Sequence, residues 1–312
     1  MNILKTVNLT GFGKKHVGKV RDFYIVENKR ILITTDRISA FDVNLGYIPE
    51  KGRVLNLLSQ FWFEETKDIV QNHMLSVPDP NVTIAKNATL IPIEMVVRGY
   101  ISGVTGTSIW GSYEKGERVI YGITFPEGLK KNQKLKTPVI TPTTKAEKGH
   151  DERLTREEII KRKIVPDKLY KQIEKAALAL FERGTRICAR SGLMLVDTKY
   201  EFGLDKDGKL MLIDEIHTPD SSRFWIKATY KQKFSVGVEP ENFDKEFLRL
   251  WYAKRGYKGE GKPPEMPSAL MKKVSKRYQD VFQMLTGKKL GTIDADLPIE
   301  KRIQKNLQSL SS

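Results

Sequence analysis

Through the first third of the chain, short β-rich runs are punctuated by turn signals. Val17 to Val26 and Ile31 to Thr35 flank the polar break Glu27-Asn28-Lys29-Arg30, a pattern that predicts a hairpin. Leu90 to Ile101 predicts a further strand, with Pro92 near its start. Between them Leu57, Leu58, Phe61 and Trp62 recur at helical spacing, so Val54 to Asp68 predicts one helix packed on this sheet. From Gly103 to Leu154 the periodicity disappears and Gly, Thr, Pro and Lys dominate, which predicts a long functional or mobile connection. Thr155-Arg156-Glu157-Glu158 has the form of a capping box, and Pro166 suits the first turn of the next helix. That helix runs through Leu169, Ile173, Ala176, Ala177, Leu180, Ile187 and Cys188 until Gly192 stops it. Leu193 to Leu204 and Lys209 to Ile216 then predict a second hairpin around Asp205-Lys206-Asp207-Gly208. Asn242 to Lys254 and Ser268 to Leu285 read as helices, with Gly287 just past the second. Strands first, then helices around another hairpin, argue for an α+β protein rather than a regular βαβ alternation. The domain boundary is expected inside the long connection, dividing the chain into a β-rich unit over 1–118 and an α+β unit over 119–312.

Composition narrows the class. The chain has 312 residues, 39% hydrophobic and 29% charged, which suits two folded domains rather than a disordered tail. No window approaches eighteen uninterrupted apolar residues and the start lacks a long apolar stretch, so neither membrane insertion nor export is expected. Cys188 is the only cysteine, which excludes an intramolecular disulfide and a thiolate metal cluster. It reads as a small buried hydrophobe in a reducing cytoplasm. With 54 Lys+Arg against 38 Asp+Glu, the net charge of +16 calls for an anionic partner. Nucleic acid, a lipid surface or a phosphorylated metabolite would each qualify.

Chemistry is concentrated in three places. Gly18-Lys19-Val20-Arg21 nearly matches a phosphate loop when read with Gly13, but Val20 replaces the magnesium-binding hydroxyl and a β-rich run follows instead of a helix. On a strand Lys19 and Arg21 share a face beside flexible Gly18, an arrangement that clamps a polyphosphate or else forms an ordinary charged edge strand. The second place is the hairpin carrying Asp197, Lys199, Glu201 and Asp214. A two-residue turn at Asp207-Gly208 would set Glu201 directly across from Asp214, and a loop from Asp205 to Gly208 would make them diagonal neighbours. Either register brings two carboxylates together. Magnesium would neutralise them, the alternative being a solvated charge ladder. The third place is His217-Thr218-Pro219-Asp220-Ser221-Ser222-Arg223, where hydroxyls and a guanidinium suit an anion and Asp220 could orient an amine or the arginine. A plain capped turn would use the same residues. The four histidines lack metal-ligand spacing, and no Ser/His/Asp set is legible.

Taken together, the fragments GKVRDFY, TDRISAFDV, PIEMVVRGYISG, LVDTKYEFG and DEIHTPDSSRFW closely resemble the SAICAR synthase family, the phosphoribosylaminoimidazole-succinocarboxamide synthases of purine biosynthesis. The resemblance runs from about Thr10 to the helix near Arg249. It implies an antiparallel N-terminal domain with a glycine-rich hairpin that covers the nucleotide, and a larger ATP-grasp or kinase-like α+β domain ending in helices. It also implies a cytoplasmic ligase, dependent on ATP and Mg2+, that joins carboxyaminoimidazole ribonucleotide (CAIR) to L-aspartate with release of ADP and phosphate.

By this resemblance Gly18, Lys19, Val20 and Arg21 line the triphosphate, Lys86 reaches toward ATP, and Glu201 and Asp214 hold magnesium. Lys19, Arg21 and Asp220 are the catalytic residues, Asp220 standing beside the reactive end of CAIR. Arg98, Asp197, Lys199, Ser222 and Arg223 bind CAIR, Ser39 and Asp42 bound the carboxylate and aspartate pockets, and Lys145, Asp151 and Arg249 are further substrate contacts. Where shorter relatives have Gly-Ser after the Arg98 strand, this chain reads Gly103-Val104-Thr105-Gly106-Thr107-Ser108, which leaves open the hydroxyl standing for that serine. The implied partners are ATP, CAIR and L-aspartate, with no nucleic acid or membrane, on a monomer or homodimer. A kinase-like small-molecule phosphotransferase would share the hairpin and carboxylates but would not need aspartate. A nucleic-acid-binding protein would rest on the net charge alone, with no recognisable module.

Overall fold

A computed structural model describes residues 2–41, 43–104, 107–145, 151–292 and 297–308. The strands, in chain order, begin with β1 (Lys15–Val17), β2 (Arg21–Val26), β3 (Lys29–Thr34), β4 (Arg37–Ala40) and β5 (Val43–Tyr47). Helix α1 (Lys51–Glu65) follows, then β6 (Met74–Asp79), β7 (Val82–Lys86) and β8 (Thr89–Ile101). The long connection carries α2 (Ile109–Tyr113), β9 (Val119–Ile120), β10 (Ile123–Thr124) and β11 (Gln133–Thr144). Next come α3 (Arg156–Lys161), α4 (Asp167–Arg190), β12 (Leu193–Leu204), β13 (Leu210–Ile213) and β14 (Ser222–Ile226). Helices α5 (Lys227–Ser235), α6 (Glu246–Ala253), α7 (Ser268–Thr286) and α8 (Ile299–Gln308) complete the described chain. None of these helices is long and apolar enough to cross a membrane.

Two antiparallel sheets carry the architecture. One has the order β1-β2-β3-β7-β6, and the other β11-β8-β12-β13 with β14 also on β12. The first hairpin is present, but its turn is only Glu27-Asn28, with Lys29 and Arg30 inside β3, and the run from Val17 breaks at residues 18–20 into a separate β1. Thr155 caps α3 with the reciprocal Glu158 bond, and Gly287 ends α7 in the left-handed region at φ 70°.

The connection from Gly103 to Leu154 is not a bare loop. Its described residues build a small core from Ile101, Ile109, Tyr113, Ile120, Tyr121, Phe125 and Leu135, and β11 lies along β8. That core spans residues 118 and 119, and β8 belongs to the larger sheet, so the cores do not divide there. The first sheet instead closes its own core with α8, where Ile303 and Leu307 pack with Leu4, Val7, Tyr24, Ile31, Ile33 and Val82.

Close approaches join the layers where the chemistry lies. A Cβ at Gly52 would fall 2.3 Å from the Thr34 carbonyl, so glycine lets the start of α1 rest on the end of β3. A Cβ at Gly184 would fall 2.0 Å from the His217 imidazole, so α4 sits directly against the turn after β13. His217 is also buried against Trp62 and shares a 2.6 Å hydrogen bond with the Tyr200 hydroxyl. It is a core residue.

Candidate active site

The glycine-rich turn reaches across to the larger sheet. Gly18 N–H donates to the Arg21 carbonyl at 2.8 Å, and a Cβ on residue 18 would press on that same oxygen at 3.0 Å. Arg21 leaves β2 on the face opposite Asp22 and donates to Asp214 through Nη1 and to Glu215 Oε2 through Nη2 at 2.6 Å. Burial works against its charge, but Asp214 and Glu215, with Asp220 and Glu201 beyond, outweigh burial and raise its pKa.

The second hairpin takes neither expected register. Leu204 pairs with Leu210, so the loop is Asp205 to Lys209 and Glu201 faces Ile213 rather than Asp214. Strand alternation alone would then not bring Glu201 and Asp214 together. Asp214, however, lies just past β13 with φ at 67°, a left-handed conformation that ends the alternation and that Asp enters more readily than most residues. Its carboxyl meets Arg21, and the charges of Lys199 and Lys145 also reach it. Together these cations overcome burial and hold its pKa well below the usual carboxylate range.

Glu201 is bound to the same two lysines. It accepts from Lys145 Nζ on one oxygen and from Lys199 Nζ on the other at 2.6 Å. Lys199 also donates to Glu94 at 2.6 Å, and Glu94 is the cross-strand partner of Glu201 on β8. One ammonium thus bridges two opposed carboxylates. Burial raises the pKa of Glu94, and the nearby charges of Glu201 and Asp151 add to the rise.

A third group lies along β8, β12 and β14. Asp197 is paired in register with Arg98 on one side and Arg223 on the other. Its Oδ2 accepts from Arg223 at 2.8 Å and from Arg98 at 3.4 Å. Arg98 also donates to Thr141 and to the Thr107 carbonyl, and Arg223 to the Ser102 hydroxyl at 3.0 Å. Glu246 of α6 pairs with Arg223 at 3.6 Å and with Arg249 at 3.2 Å. Three arginines therefore meet two carboxylates, an excess of positive charge suited to a phosphate or carboxylate. Ser222 bonds Thr198 across the strands and is buried. Of the hydroxyls in 104–108, Ser108 caps α2, and a Cβ on Gly103 would meet both it and Arg223. Thr105 lies outside the described residues.

Asp220, expected beside the reacting atoms, is instead enclosed. Its Oδ2 is ion-paired to Lys51 at 2.9 Å and Lys245 at 3.2 Å, and its Oδ1 accepts from the Tyr278 hydroxyl at 2.8 Å. Burial pushes the carboxyl up, but the two ammonium groups outweigh it and hold the pKa well below the usual range. With α1, α6 and α7 all tied to it, Asp220 positions the turn from Thr218 to Ser222.

Other expected residues are not drawn into these groups. Lys86 ends β7 opposite Lys29, on the sheet face opposite Arg21. It lies about 17 Å along β3 from Thr34, the partner of Arg21. Ser39 faces Asn44 within the β4–β5 hairpin, and Asp42 lies outside the described residues. Sequence reasoning missed Arg37, which donates to the Gly18 and Lys19 carbonyls, and also Lys51, Lys245, Tyr278 and Glu246. Only Arg37 carried a signal, a guanidinium inside a short strand of otherwise uncharged residues.

The sequence pattern of the SAICAR synthetase family matches residues 14–265. A phosphoribosylaminoimidazole-succinocarboxamide synthase of Legionella pneumophila (strain Paris) is 50% identical over 299 residues, 95% of each chain. SAICAR synthase from Saccharomyces cerevisiae, solved in complex with SAICAR, superposes with a TM-score of 0.80 at 31% identity, covering 93% of this chain and 100% of its own. A SAICAR synthetase solved in complex with ADP gives 0.68 at 25% identity, covering 89% and 100%.

Proposed function

The chain belongs to the SAICAR synthetase family, and on that premise we propose that the charged groups at the junction of its two sheets divide three substrates among them. The protein is an ATP-dependent ligase of purine biosynthesis that joins CAIR to L-aspartate. One observation carries the site assignment: Arg21 of the glycine-rich turn donates to both Asp214 and Glu215 of the larger sheet. A turn that covers a polyphosphate and a pair of carboxylates that follows it are thereby already in contact. A similar SAICAR synthetase solved in complex with ADP supports the use of a nucleotide.

In this reading Gly18, Lys19, Val20 and Arg21 cover the triphosphate. Lys86 stays a candidate for the outer part of ATP. Glu201 and Asp214 fit magnesium by the chemistry of their donors: hard carboxylate oxygens, offset here by Lys145, Lys199 and Arg21, where Mg2+ takes one or two carboxylates plus phosphate and water. When bound, the ion supplies charge neutralisation on the phosphates. Arg98, Arg223 and Arg249 take the phosphate of CAIR, with Asp197 and Ser222 setting the arginines and the strand behind them. Lys199 and Lys145 face the CAIR carboxylate, with Asp151 beside them, while Ser39 and Asp42 bound the aspartate pocket.

The reaction then proceeds in two balanced steps. A carboxylate oxygen of CAIR takes the γ-phosphoryl group and ADP leaves. The aspartate nitrogen attacks the acyl carbon, the bond to phosphate breaks, and the nitrogen gives up a proton as the amide forms. Lys19, Arg21 and Lys199 offset charge on the transferring group, and the fixed sheets hold the reactants in line, which is most of what phosphoryl transfer requires. The buried thiol of Cys188, its pKa raised by burial, suits a reducing cytoplasm. The partners are these small molecules, on a monomer or homodimer.

The test is ADP release, which is expected to require CAIR and L-aspartate together. Turnover with CAIR alone, leaving a stable phosphorylated product, would favour a kinase-like phosphotransferase instead.

A further inference from the structure

We infer that Arg37 is a positioning residue for ATP, acting by strapping the carbonyl side of the glycine-rich turn. Arg37 opens β4, and its guanidinium is almost wholly buried. Its Nε donates to the Lys19 carbonyl at 3.3 Å. Its Nη2 donates to the Gly18 carbonyl at 3.1 Å and to Asp22 at 2.6 Å, and its Nη1 to the Lys5 carbonyl at 2.7 Å. The remaining carbonyl of the turn, on Val20, accepts from the Thr35 backbone at 3.0 Å and from the Thr35 hydroxyl at 2.8 Å. Three consecutive carbonyl oxygens are thus held by residues 35 and 37.

The strand alternation gives this strap a direction. Asp22, which Arg37 grips, and Arg21, which crosses to Asp214, leave β2 on opposite faces. The negative ends of the turn's carbonyl dipoles are drawn to the Asp22 side, away from the side that Arg21 presents. A polyphosphate approaching Arg21 then meets less carbonyl repulsion, and the turn need not be ordered at the moment of binding.

The platform beneath is itself fixed. Asp22 is fully buried and also accepts from Thr6 at 2.6 Å and pairs with Lys15 at 3.1 Å. Burial raises its carboxyl, but the bonds from Arg37, Thr6 and Lys15 prevail and lower its pKa. The neighbouring Asp36 accepts from the backbone of Leu4 and Gly52, both at 2.8 Å, anchoring β4 between the amino-terminal segment and α1. Only a planar five-donor fork can serve acceptors spread in this way, and a lysine cannot.

This inference rests on the reading of the turn as the polyphosphate site, so its test includes a variant of each. Arg37→Lys keeps the charge and loses the fork. It is expected to raise the KM for ATP about tenfold, the loss of one or two hydrogen bonds, with the KM for CAIR and for aspartate within about twofold. Thr35→Val keeps the backbone bond and is expected to raise the KM for ATP about threefold. It also carries the test if Arg37→Lys fails to fold. Unfolding midpoints confirm that each assay is run on folded protein.

A merely structural role for Arg37 would lower the midpoint and leave the KM for ATP where it was, and that result overturns the inference. So does an equal rise for all three substrates. Lys19→Ala separates the two failures. If it raises the KM for ATP while Arg37→Lys and Thr35→Val do not, the strap alone is wrong. If it too leaves ATP unaffected, the polyphosphate reading fails, and the inference with it.

Discussion

Two clusters at the junction are built from the same chemistry, carboxylates against buried cations, and differ in their access to solvent. In the Arg21 cluster Glu201 is itself enclosed at 4%, but the side chains of Asp214, Lys145 and Lys199 around it are 29%, 33% and 29% exposed. In the Asp220 cluster those of Asp220, Lys51 and Lys245 are 3%, 0% and 10% exposed. Water can replace a lost partner in the first and hardly in the second. Lysines that are partly solvated can be released to water while a metal or a phosphate takes their place at modest cost. Those enclosed around a buried carboxylate cannot, because each ion left unpaired would bear its desolvation penalty alone. The first arrangement suits turnover, and the second suits holding three helices to one turn.

The contrast can be broken most directly at the open cluster. Asp214→Asn should lower turnover by about a hundredfold or more while the urea midpoint stays near that of the parent protein, and Glu201→Gln should lower turnover as much with some loss of midpoint, because both of its oxygens serve lysines. Unchanged magnesium-dependent turnover would remove both residues from the site. The closed cluster should respond the other way. Lys51→Met should cost about 3 kcal/mol of stability in urea unfolding, since it strands part of the Asp220 charge. A small stability loss with abolished turnover would show that Asp220 belongs to the chemistry after all.

A pH series sharpens the same comparison. His217, between the two clusters in sequence, is pushed down to about 3 by burial, whereas an unfolded imidazole titrates near about 6.5. It stays neutral in the folded protein over the interval in which the unfolded chain takes up a proton. Its contribution is therefore fully present above about pH 6.5 and is lost as pH falls toward 3. The buried carboxyls of Asp36 and Asp244, raised to about 6 and about 7 by burial, act in the opposite sense, losing their contribution as pH rises through those values. The informative quantity is thus the difference in slope between the parent and His217→Gln from pH 6.5 down to pH 4. Over that interval the variant should lose less stability, or gain more, than the parent as pH falls, and parallel curves would mean that His217 titrates normally. The smallest effect is expected from Tyr278→Phe, which removes one hydrogen bond to Asp220 and should cost about 1 kcal/mol in the same unfolding measurement.

Much of the candidate site was legible as a charged cluster because its residues sit on elements with strong local signatures. Arg98, Asp197, Lys199 and Arg223 interrupt strands whose other positions are largely apolar, and a charge in such a place needs a partner. The hairpin around Asp205 to Lys209 was legible as a hairpin but not in its register, because Asp205 accepts from the backbone of Asp207 and Lys209 and closes a five-residue loop, and Asp214 reaches Arg21 through its left-handed backbone rather than by alternation. The fold within Gly103 to Leu154 escaped for another reason. Helix α2 has five residues and β9 and β10 two each, too short to show a period, and their core is made of aromatics at irregular spacing. Lys51 and Lys245 escaped because a buried lysine looks in sequence like a surface one. What buries Lys51 is Asp220, far along the chain. Helix α8 was readable in principle, since Ile299, Ile303 and Leu307 recur four apart, but its surroundings are so polar that the stripe is narrow.

That last helix carries a consequence for how the protein comes into being. The sheet bearing Arg21 completes its core only when Ile303 and Leu307 dock and Arg302 forks onto Asp79 at 2.8 and 3.0 Å. On a ribosome adding about 5–20 residues per second, the segment between β7 and α8 takes roughly 10–40 s to emerge. Through that interval the hairpin bearing Arg21 has its strands but not its lid of apolar side chains. Order of synthesis and order of assembly are thus opposed in this chain: the sheet made first is sealed only after the larger sheet and its helices have been made, when α8 docks.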